Sequence, residues 1–268
     1  MVSEEMYVLG TKKSTIRTIF EFGQKRAAEV GAENIFDFSL GNPNVPAPDF
    51  IRDAAVDILM HGDPTEVHGY TIAPGKPAVR EALAADLKRR FGMDVTGKNL
   101  FMTAGAAASV TITFKALTEP GDEFITIAPF FPEYCVFVEA CGGKLVVVPA
   151  KTDDFQIDLT ALERAVTPRT KAVIVNSPNN PSGAVYSETT IRRLADLLRA
   201  KEQEYGRPIF IIADEPYREI VYDGASVPCI PLLYDNTIVC YSYSKSFSLP
   251  GERIGYIVVP DSAADFAR

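Results

Sequence analysis

One segment of the sequence combines residue types that suit a reactive carbonyl ligand carrying a phosphate. SYSKSFSLPGERIG (242–255) places one lysine, Lys245, among hydroxyl residues such as Ser242, and Arg253 follows eight positions later. The segment lies between the apolar runs TIVC and IGYIVV, where a permanent positive charge would be costly to bury. A lysine that forms a Schiff base loses that charge, and an arginine can grip a phosphate through its forked guanidinium.

Three further polar segments also follow apolar runs. AGAAAS (104–109) can begin a helix whose free backbone N–H groups suit a phosphate, PNNPSG presents Asn180, and DEPY presents Asp214 and Tyr217. Each alone has an ordinary structural interpretation, since small residues pack strand–helix turns and an aspartate can cap a helix. Together they predict a ligand site, because ligands of open α/β sheets bind at the carboxyl ends of strands.

The elements that must position these segments alternate between strands and helices. Apolar runs without strict alternation predict strands that are buried on both faces. The clearest helix, 187–206, opens on Ser187 and stops at Gly206, and shorter helices are predicted over 158–166 and 107–117. This pattern predicts an α/β fold in which helices cover both faces of a mostly parallel sheet. The predicted strands are 99–103, 123–128, 144–150, 171–177, 209–214, 237–242 and 254–259.

The last of these strands is predicted to run antiparallel. Residues 243–253 are the whole connection between the last two strands, and they contain proline and glycine. A parallel crossover needs a longer, usually helical connection, so the chain should simply turn back.

The first fifty residues follow a different pattern. A helix capped by Ser14 is predicted over 14–31, and the extended, proline-rich stretch FDFSLGNPNVPAPDF follows it. We expect residues 1–48 to form an arm and part of a small domain, and residues 49–268 to form the ligand-binding large domain.

Composition excludes several classes of function. The 268 residues are 47% hydrophobic and 23% charged, and the net charge of −8 argues against binding nucleic acid or an anionic membrane. The acidic N-terminus is unlike a signal peptide and the apolar runs are too short to span a bilayer, so we expect a cytoplasmic protein. The two histidines and four cysteines lack metal-site spacing, so we expect no metal and buried free thiols.

The chain resembles the class I/II aminotransferases, the pyridoxal-phosphate enzymes of the aspartate aminotransferase fold (fold type I). SYSKSFSLPGERIG fits the lysine-site signature of that family at every restricted position. Five more motifs occur in the expected order: HGYTIAPGKPAVREAL, TAGAAAS, PFFPEY, SPNNPSG and DEPY. The resemblance runs from about residue 35 to the end. It implies pyridoxal 5'-phosphate as the cofactor and a three-layer αβα large domain with a seven-stranded sheet.

The resemblance implies catalytic roles for three residues. Lys245 forms the Schiff base and moves a proton between the substrate Cα and the cofactor C4′. Asp214 pairs with the pyridinium nitrogen and keeps it protonated, so that the ring can accept electrons. Tyr217 and Asn180 hydrogen-bond the phenolic oxygen of the ring. A desolvated site next to Arg253 would lower the pKa of Lys245, as a base needs.

The resemblance also implies how the rest of the cofactor is held. Ser242, Arg253 and the backbone N–H groups of Gly105 and Ala106 bind the phosphate. Phe131 stacks on the ring.

Two further positions concern the substrate and a partner subunit. Tyr70 matches the tyrosine that reaches the phosphate site of a neighbouring subunit, which implies a homodimer. Gly41 matches the glycine loop near the substrate carboxylate, and the resemblance implies that Asn180 also binds the substrate. The implied substrates are an α-amino acid and a 2-oxo acid.

Three functions fit these residues. The favoured one is an aminotransferase, the second a pyridoxal-phosphate C–S β-lyase of the cystathionine type, and the third a non-catalytic pyridoxal-phosphate-binding module. Relatives continue into a C-terminal small domain, which carries the arginine that clamps the substrate carboxylate, whereas this sequence ends at DSAADFAR. We therefore expect that domain to be absent here and the 268-residue chain alone to be inactive as a transaminase.

Overall fold

A computed structural model describes residues 2, 4–11, 15–39 and 41–267. Contacts within the chain divide it into two units, Met1–Asn44 and Val45–Arg268. The first unit contains helices α1 (Glu4–Thr11) and α2 (Thr15–Val30) and a 3₁₀ turn over Ala32–Asn34. The helix predicted over 14–31 is therefore confirmed as α2, while its predicted cap, Ser14, lies outside the described residues. The predicted division into 1–48 and 49–268 stays a prediction.

The second unit contains the other helices and all the described strands. Its helices are α3 (Asp49–His61), α4 (Pro64–His68), α5 (Pro77–Phe91), α6 (Ala106–Leu117), α7 (Glu133–Glu139), α8 (Leu159–Ala165), α9 (Glu188–Tyr205) and α10 (Tyr243–Ser246), with 3₁₀ turns over Gly97–Asn99 and Ile230–Leu232. Its strands are β1 (Leu100–Thr103), β2 (Glu123–Ile127), β3 (Lys144–Val148), β4 (Thr170–Asn176), β5 (Phe210–Asp214), β6 (Thr237–Ser242) and β7 (Gly255–Val258).

The strands form one seven-stranded sheet in the order β1-β7-β6-β5-β4-β2-β3. The neighbours from β6 to β3 are parallel, whereas β7 runs antiparallel to both β1 and β6. The seven predicted strands and the antiparallel direction of the last one are confirmed. Helices occupy most of the connections between parallel strands, as the right-handed crossover requires.

Two apolar layers lie on opposite faces of this sheet. Along β4, Val173 and Val175 pack with α5, α8 and α9, whereas Ala172 and Ile174 pack with α6 and α7. Because adjacent residues on a strand point to opposite faces, an unbroken apolar run covers both. The three-layer αβα architecture is confirmed for the second unit.

Helix α9 shows how local sequence fixes the ends of an element. Its N-cap Ser187 accepts a hydrogen bond at 3.0 Å from the backbone N–H of Thr190, and Gly206 ends it in the left-handed conformation with φ of 65°. Ile191, Leu194 and Leu198 recur at helical spacing and are buried against the sheet.

The four cysteines are free thiols, but only Cys240 is buried. The expectation that all of them are buried was wrong. Cys240 lies on the central strand β6, whereas Cys135 and Cys141 lie in and just after α7, in an outer layer with one face towards solvent.

Candidate active site

A cavity of about 170 Å³ opens at the carboxyl ends of β4, β5 and β6. Parallel strands bring their carboxyl ends to one edge of the sheet, so residues distant in sequence meet there. The lining contains residues from each of the four polar segments identified in the sequence. The sequence-predicted residues that line it are Ala106, Phe131, Asn180, Asp214, Tyr217, Ser242, Lys245 and Arg253.

Asp214 is a buried carboxylate at the end of β5, which lies between β4 and β6. The Tyr134 hydroxyl donates a hydrogen bond to Asp214 Oδ2 at 2.5 Å, while Asp214 Oδ1 is buried with no hydrogen-bond partner among the described residues. Burial raises the pKa of Asp214 to about 7; the Tyr134 hydrogen bond opposes this rise and the charge of Glu215 adds to it. Asp214 therefore has one acceptor oxygen that a ligand N–H group can satisfy.

Lys245 lies in α10, a single helical turn that begins directly after β6. Ser242 caps this turn, because its Oγ accepts a hydrogen bond from the Ser244 backbone N–H at 3.1 Å. Burial lowers the pKa of Lys245, and the nearby positive charge of Arg253 lowers it further. At neutral pH, more of the amine is neutral and nucleophilic than in an exposed lysine.

The cationic end of the cavity is formed by Arg253 and the start of α6. Gly105 has φ of 89° and immediately precedes Ala106, the first residue of the helix. A Cβ atom on Gly105 would lie 2.7 Å from Arg253 Nη2, so glycine is what lets the guanidinium approach the helix start. Arg253 is held in turn by a hydrogen bond from Nη1 to the Pro250 carbonyl at 2.9 Å. A guanidinium beside free helix-start N–H groups suits a phosphate dianion.

Asn180 and Tyr217 form a polar pair on the cavity wall. Asn180 Nδ2 donates to the Tyr217 hydroxyl at 3.2 Å, and the Asn180 backbone N–H donates to Asn176 Oδ1 at 2.7 Å. Burial and the charge of Asp214 raise the pKa of Tyr217, although the Asn180 hydrogen bond acts in the opposite direction. The phenol is therefore neutral at physiological pH and can donate a hydrogen bond.

Aromatic side chains form the apolar side of the cavity. The rings of Phe131 and Tyr134 meet edge to face with centroids 5.6 Å apart, and Phe137 also lines the space. Such a wall suits a flat heteroaromatic ring.

Three of the predicted site residues do not line this cavity: Tyr70, Gly41 and Gly105, which directly precedes the lining residue Ala106. Tyr70 lies outside the cavity with a fully exposed side chain. Gly41 belongs to the first unit of the chain. The roles that the sequence suggests for Tyr70 and Gly41 stay predictions.

Three polar cavity residues were not singled out from the sequence: Tyr134, Asn176 and Ser244. Tyr134 ends the motif PFFPEY, yet no spacing connects it with Asp214. The signal for Asn176 was stronger, because it is a polar residue at the end of the apolar run KAVIVNS. Its Nδ2 donates to the Asp214 backbone carbonyl at 2.8 Å and so links the ends of β4 and β5.

Two other kinds of site were sought over the same ranges. No helix in the described part of the chain is long and apolar enough to cross a membrane. Nor does that part contain a group of three or more histidine, cysteine, aspartate or glutamate side chains placed to hold a metal ion.

Comparison with known sequences gives consistent matches. Residues 33–268 match the family model described as aminotransferase class I and II. A probable aspartate/prephenate aminotransferase of Thermus aquaticus is 35% identical over 82% of this chain and 55% of its own length. An aspartate aminotransferase of Pyrococcus horikoshii is 33% identical over 94% of this chain and 61% of its own. The chain thus spans 55% to 61% of the length of these relatives.

Solved structures match the fold closely. An amino transferase from Eubacterium rectale superposes with a TM-score of 0.97 at 58% identity, covering 100% of this chain and 67% of that one. An aspartate aminotransferase from Thermus thermophilus, solved with maleate, superposes with a TM-score of 0.82 at 30% identity, covering 97% of this chain and 65% of that one.

Proposed function

The chain belongs to aminotransferase class I and II, and on that premise we propose that it binds pyridoxal 5'-phosphate and serves transamination between an α-amino acid and a 2-oxo acid. The family depends on this cofactor. The chain spans less than two thirds of the curated relatives named above, so the proposal concerns the whole protein's activity and the part this chain plays in it.

The observation that carries the proposal is the buried, unpartnered Oδ1 of Asp214. A buried carboxylate oxygen without a donor is costly unless a ligand satisfies it. The protonated ring nitrogen of pyridoxal phosphate is a cationic N–H donor of the required kind. Its charge would bring the pKa of Asp214 down from about 7 and keep the carboxylate ionised.

The other cavity residues fit the same ligand. Arg253, Ser242 and the helix start at Gly105–Ala106 would hold the phosphate, because together they supply a guanidinium, a hydroxyl and free backbone N–H groups. Phe131 would cover the ring. A larger residue at Gly105 would displace the Arg253 guanidinium, so the cradle depends on glycine.

When bound, pyridoxal phosphate supplies an aldehyde that takes up amines and a ring that accepts the electron pair left by an α-proton. Lys245 would hold that aldehyde through its amine until a substrate amine takes its place. Because its pKa is lowered, the neutral Nζ would then be able to act as the base that takes the proton from the substrate Cα and as the acid that later gives it back. Asp214 would keep the ring nitrogen protonated, and the Tyr217 hydroxyl, oriented by Asn180, would donate to the phenolic oxygen.

Three further parts of the proposal rest on the family resemblance and on composition. They are a homodimer in which Tyr70 reaches the partner's phosphate, a substrate carboxylate placed near Gly41 and Asn180, and a cytoplasmic location. Aspartate is the first amino donor to test, since relatives of this chain are named for it.

The test is cofactor uptake followed by visible absorbance and by mass after borohydride reduction. The wild-type chain should gain absorbance and one pyridoxyl group on Lys245, and Lys245→Ala should lose both. Lys151→Ala is the matched control, because it removes a lysine that does not line the cavity and that pairs with Asp154. The proposal would be refuted if the wild-type chain bound no pyridoxal phosphate. It would also be refuted if the wild-type chain and Lys245→Ala were labelled equally.

A further inference from the structure

Tyr241 lies behind the candidate active site, on the opposite face of the sheet. It precedes Ser242 on β6 and belongs to the apolar layer that contains α5, whereas its neighbour Cys240 belongs to the other layer. Its side chain is buried, and the proposed mechanism does not use it. Tyr241 is nevertheless close in sequence to Lys245, so the contacts of its hydroxyl can affect the turn that carries the lysine.

The Tyr241 hydroxyl contacts two polar side chains from different segments. It lies 2.8 Å from Glu219 Oε2 and 3.0 Å from Ser246 Oγ. A phenol carries one proton and a carboxylate can only accept, so the phenol donates to Glu219 and its oxygen is left to accept from Ser246. Hydrogen bonds to a charged partner are stronger than those between neutral groups, so the bond to Glu219 is the stronger of the two that the Tyr241 hydroxyl makes.

Glu219 and the ring of Tyr241 are themselves held in place. Arg90 Nη2 lies 2.7 Å from Glu219 Oε1 and fixes the carboxylate from α5. The Tyr256 ring stacks on Tyr241 with centroids 4.9 Å apart, and the Tyr243 ring meets it edge to face at 5.2 Å. These contacts hold the Tyr241 hydroxyl in one position.

We propose that Tyr241 is a positioning residue that ties the turn carrying Lys245 to the segment carrying Tyr217. Ser246 directly follows Lys245 in α10, and Glu219 lies two residues after Tyr217. The backbone N–H of Ile220 donates to the Tyr217 carbonyl at 2.8 Å and closes that second segment. Tyr241 does not line the cavity, so its effect is indirect. The inference rests on the proposed function, which assigns Lys245 its role.

The test measures amide hydrogen exchange in the ligand-free chain. The backbone N–H of Phe247 donates to the Tyr243 carbonyl, and that of Ser248 to the Lys245 carbonyl, so both amides report on the lysine turn. In Tyr241→Phe these two amides should exchange on the order of tenfold faster, since one hydrogen bond to a charged network is lost while the ring stays.

Ser246→Ala and the double variant with Tyr241→Phe make the test specific. If the two hydroxyls act through their mutual bond, Ser246→Ala should also accelerate exchange of the turn, and the double variant should exceed neither single variant by more than about twofold. Tyr256→Phe is the matched control: it removes a phenol from the same ring cluster but not from the Glu219–Tyr241–Ser246 set, and it should leave the turn unchanged.

Cofactor uptake provides the second readout. Tyr241→Phe should take up pyridoxal phosphate several-fold more slowly than Tyr256→Phe, because a more mobile turn holds the Lys245 amine in the reactive position for less of the time. Unchanged exchange in Tyr241→Phe, additive effects in the double variant, or an equal effect of Tyr256→Phe would overturn the inference. Failure of the wild-type chain to bind pyridoxal phosphate would refute the proposed function instead, and the exchange experiment does not depend on it.

Discussion

Replacing Asp214 with asparagine should stabilise the ligand-free protein at neutral pH. The pKa of Asp214 is about 7 against an ordinary 3.8, a difference of about three units, because the carboxylate is buried with Oδ1 unpartnered. Each unit corresponds to about 1.4 kcal/mol. Keeping the charged carboxylate folded therefore costs about 4 kcal/mol, and asparagine, which cannot ionise, avoids that cost.

The pH dependence of this gain follows from the sign of the shift. Between pH 3.8 and about 7 the unfolded chain releases the Asp214 proton while the folded chain retains it, so stability falls as pH rises. Above about pH 7 both states are ionised and the loss is complete. The advantage of Asp214→Asn should thus be near zero below pH 3.8 and reach its full value above pH 7. An unsatisfied buried amide in the variant would subtract about 1–3 kcal/mol at every pH, so the slope is the diagnostic quantity.

Urea unfolding of both ligand-free proteins, from about pH 5 to about pH 8, measures this slope. Asp122→Asn is the control. Burial alone would raise the pKa of Asp122, but hydrogen bonds from the Glu119 amide, Lys171 and Arg207 outweigh it and lower the pKa. That variant should be destabilised by a constant amount over the same range. A difference between wild type and Asp214→Asn that does not change with pH would refute the reasoning. Pyridoxal phosphate should stabilise wild type much more than Asp214→Asn.

Two further substitutions test other parts of the structure. Gly105→Ala should weaken binding of pyridoxal phosphate about tenfold in a calorimetric titration, because its Cβ would displace the Arg253 guanidinium. Gly92→Ala, also at positive φ but with open space around it, should lower stability without changing that affinity. Equal affinity in both variants would contradict the role proposed for Gly105 in the phosphate site. Arg218→Met should lower the free energy of unfolding by about 3–5 kcal/mol because it leaves Glu215 buried and unpaired. Adding Glu215→Gln should recover much of that loss in the same urea experiment, and no recovery would mean that the ion pair is not the cause.

The sequence predicted the elements whose signals are local. Helix α9 could be delimited because Ser187 and Gly206 satisfy its ends through neighbouring backbone groups. The antiparallel direction of β7 followed from the shortness of the connection before it. The lowered pKa of Lys245 could be expected for a similar reason. Burial and the charge of Arg253 cause the shift, and Lys245 and Arg253 lie in one short segment of the sequence.

The contacts that the sequence did not reveal join distant segments. Tyr134 contacts Asp214 because α7 packs on the face of the sheet that the Asp214 side chain also occupies. No sequence motif predicts that pairing. The contact between Tyr241 and Glu219 likewise depends on how β6 and the chain after β5 meet on the opposite face of the sheet. Side-chain partners of this kind are fixed by sheet order and packing rather than by spacing along the chain.

The place of β7 in the sheet has a consequence for the order in which the protein can be made. Leu100 is registered with Val258, and β7 separates β1 from β6, so β1 has no neighbour in the sheet until β7 has been synthesised. On the ribosome, β2 to β6 can pair as they emerge, whereas β1 must wait with an unpaired edge. Gly105, which follows β1, and Arg253, which precedes β7, come together when these two strands pair. Capture of a phosphate group would thus report that the growing chain has paired β1 with β7.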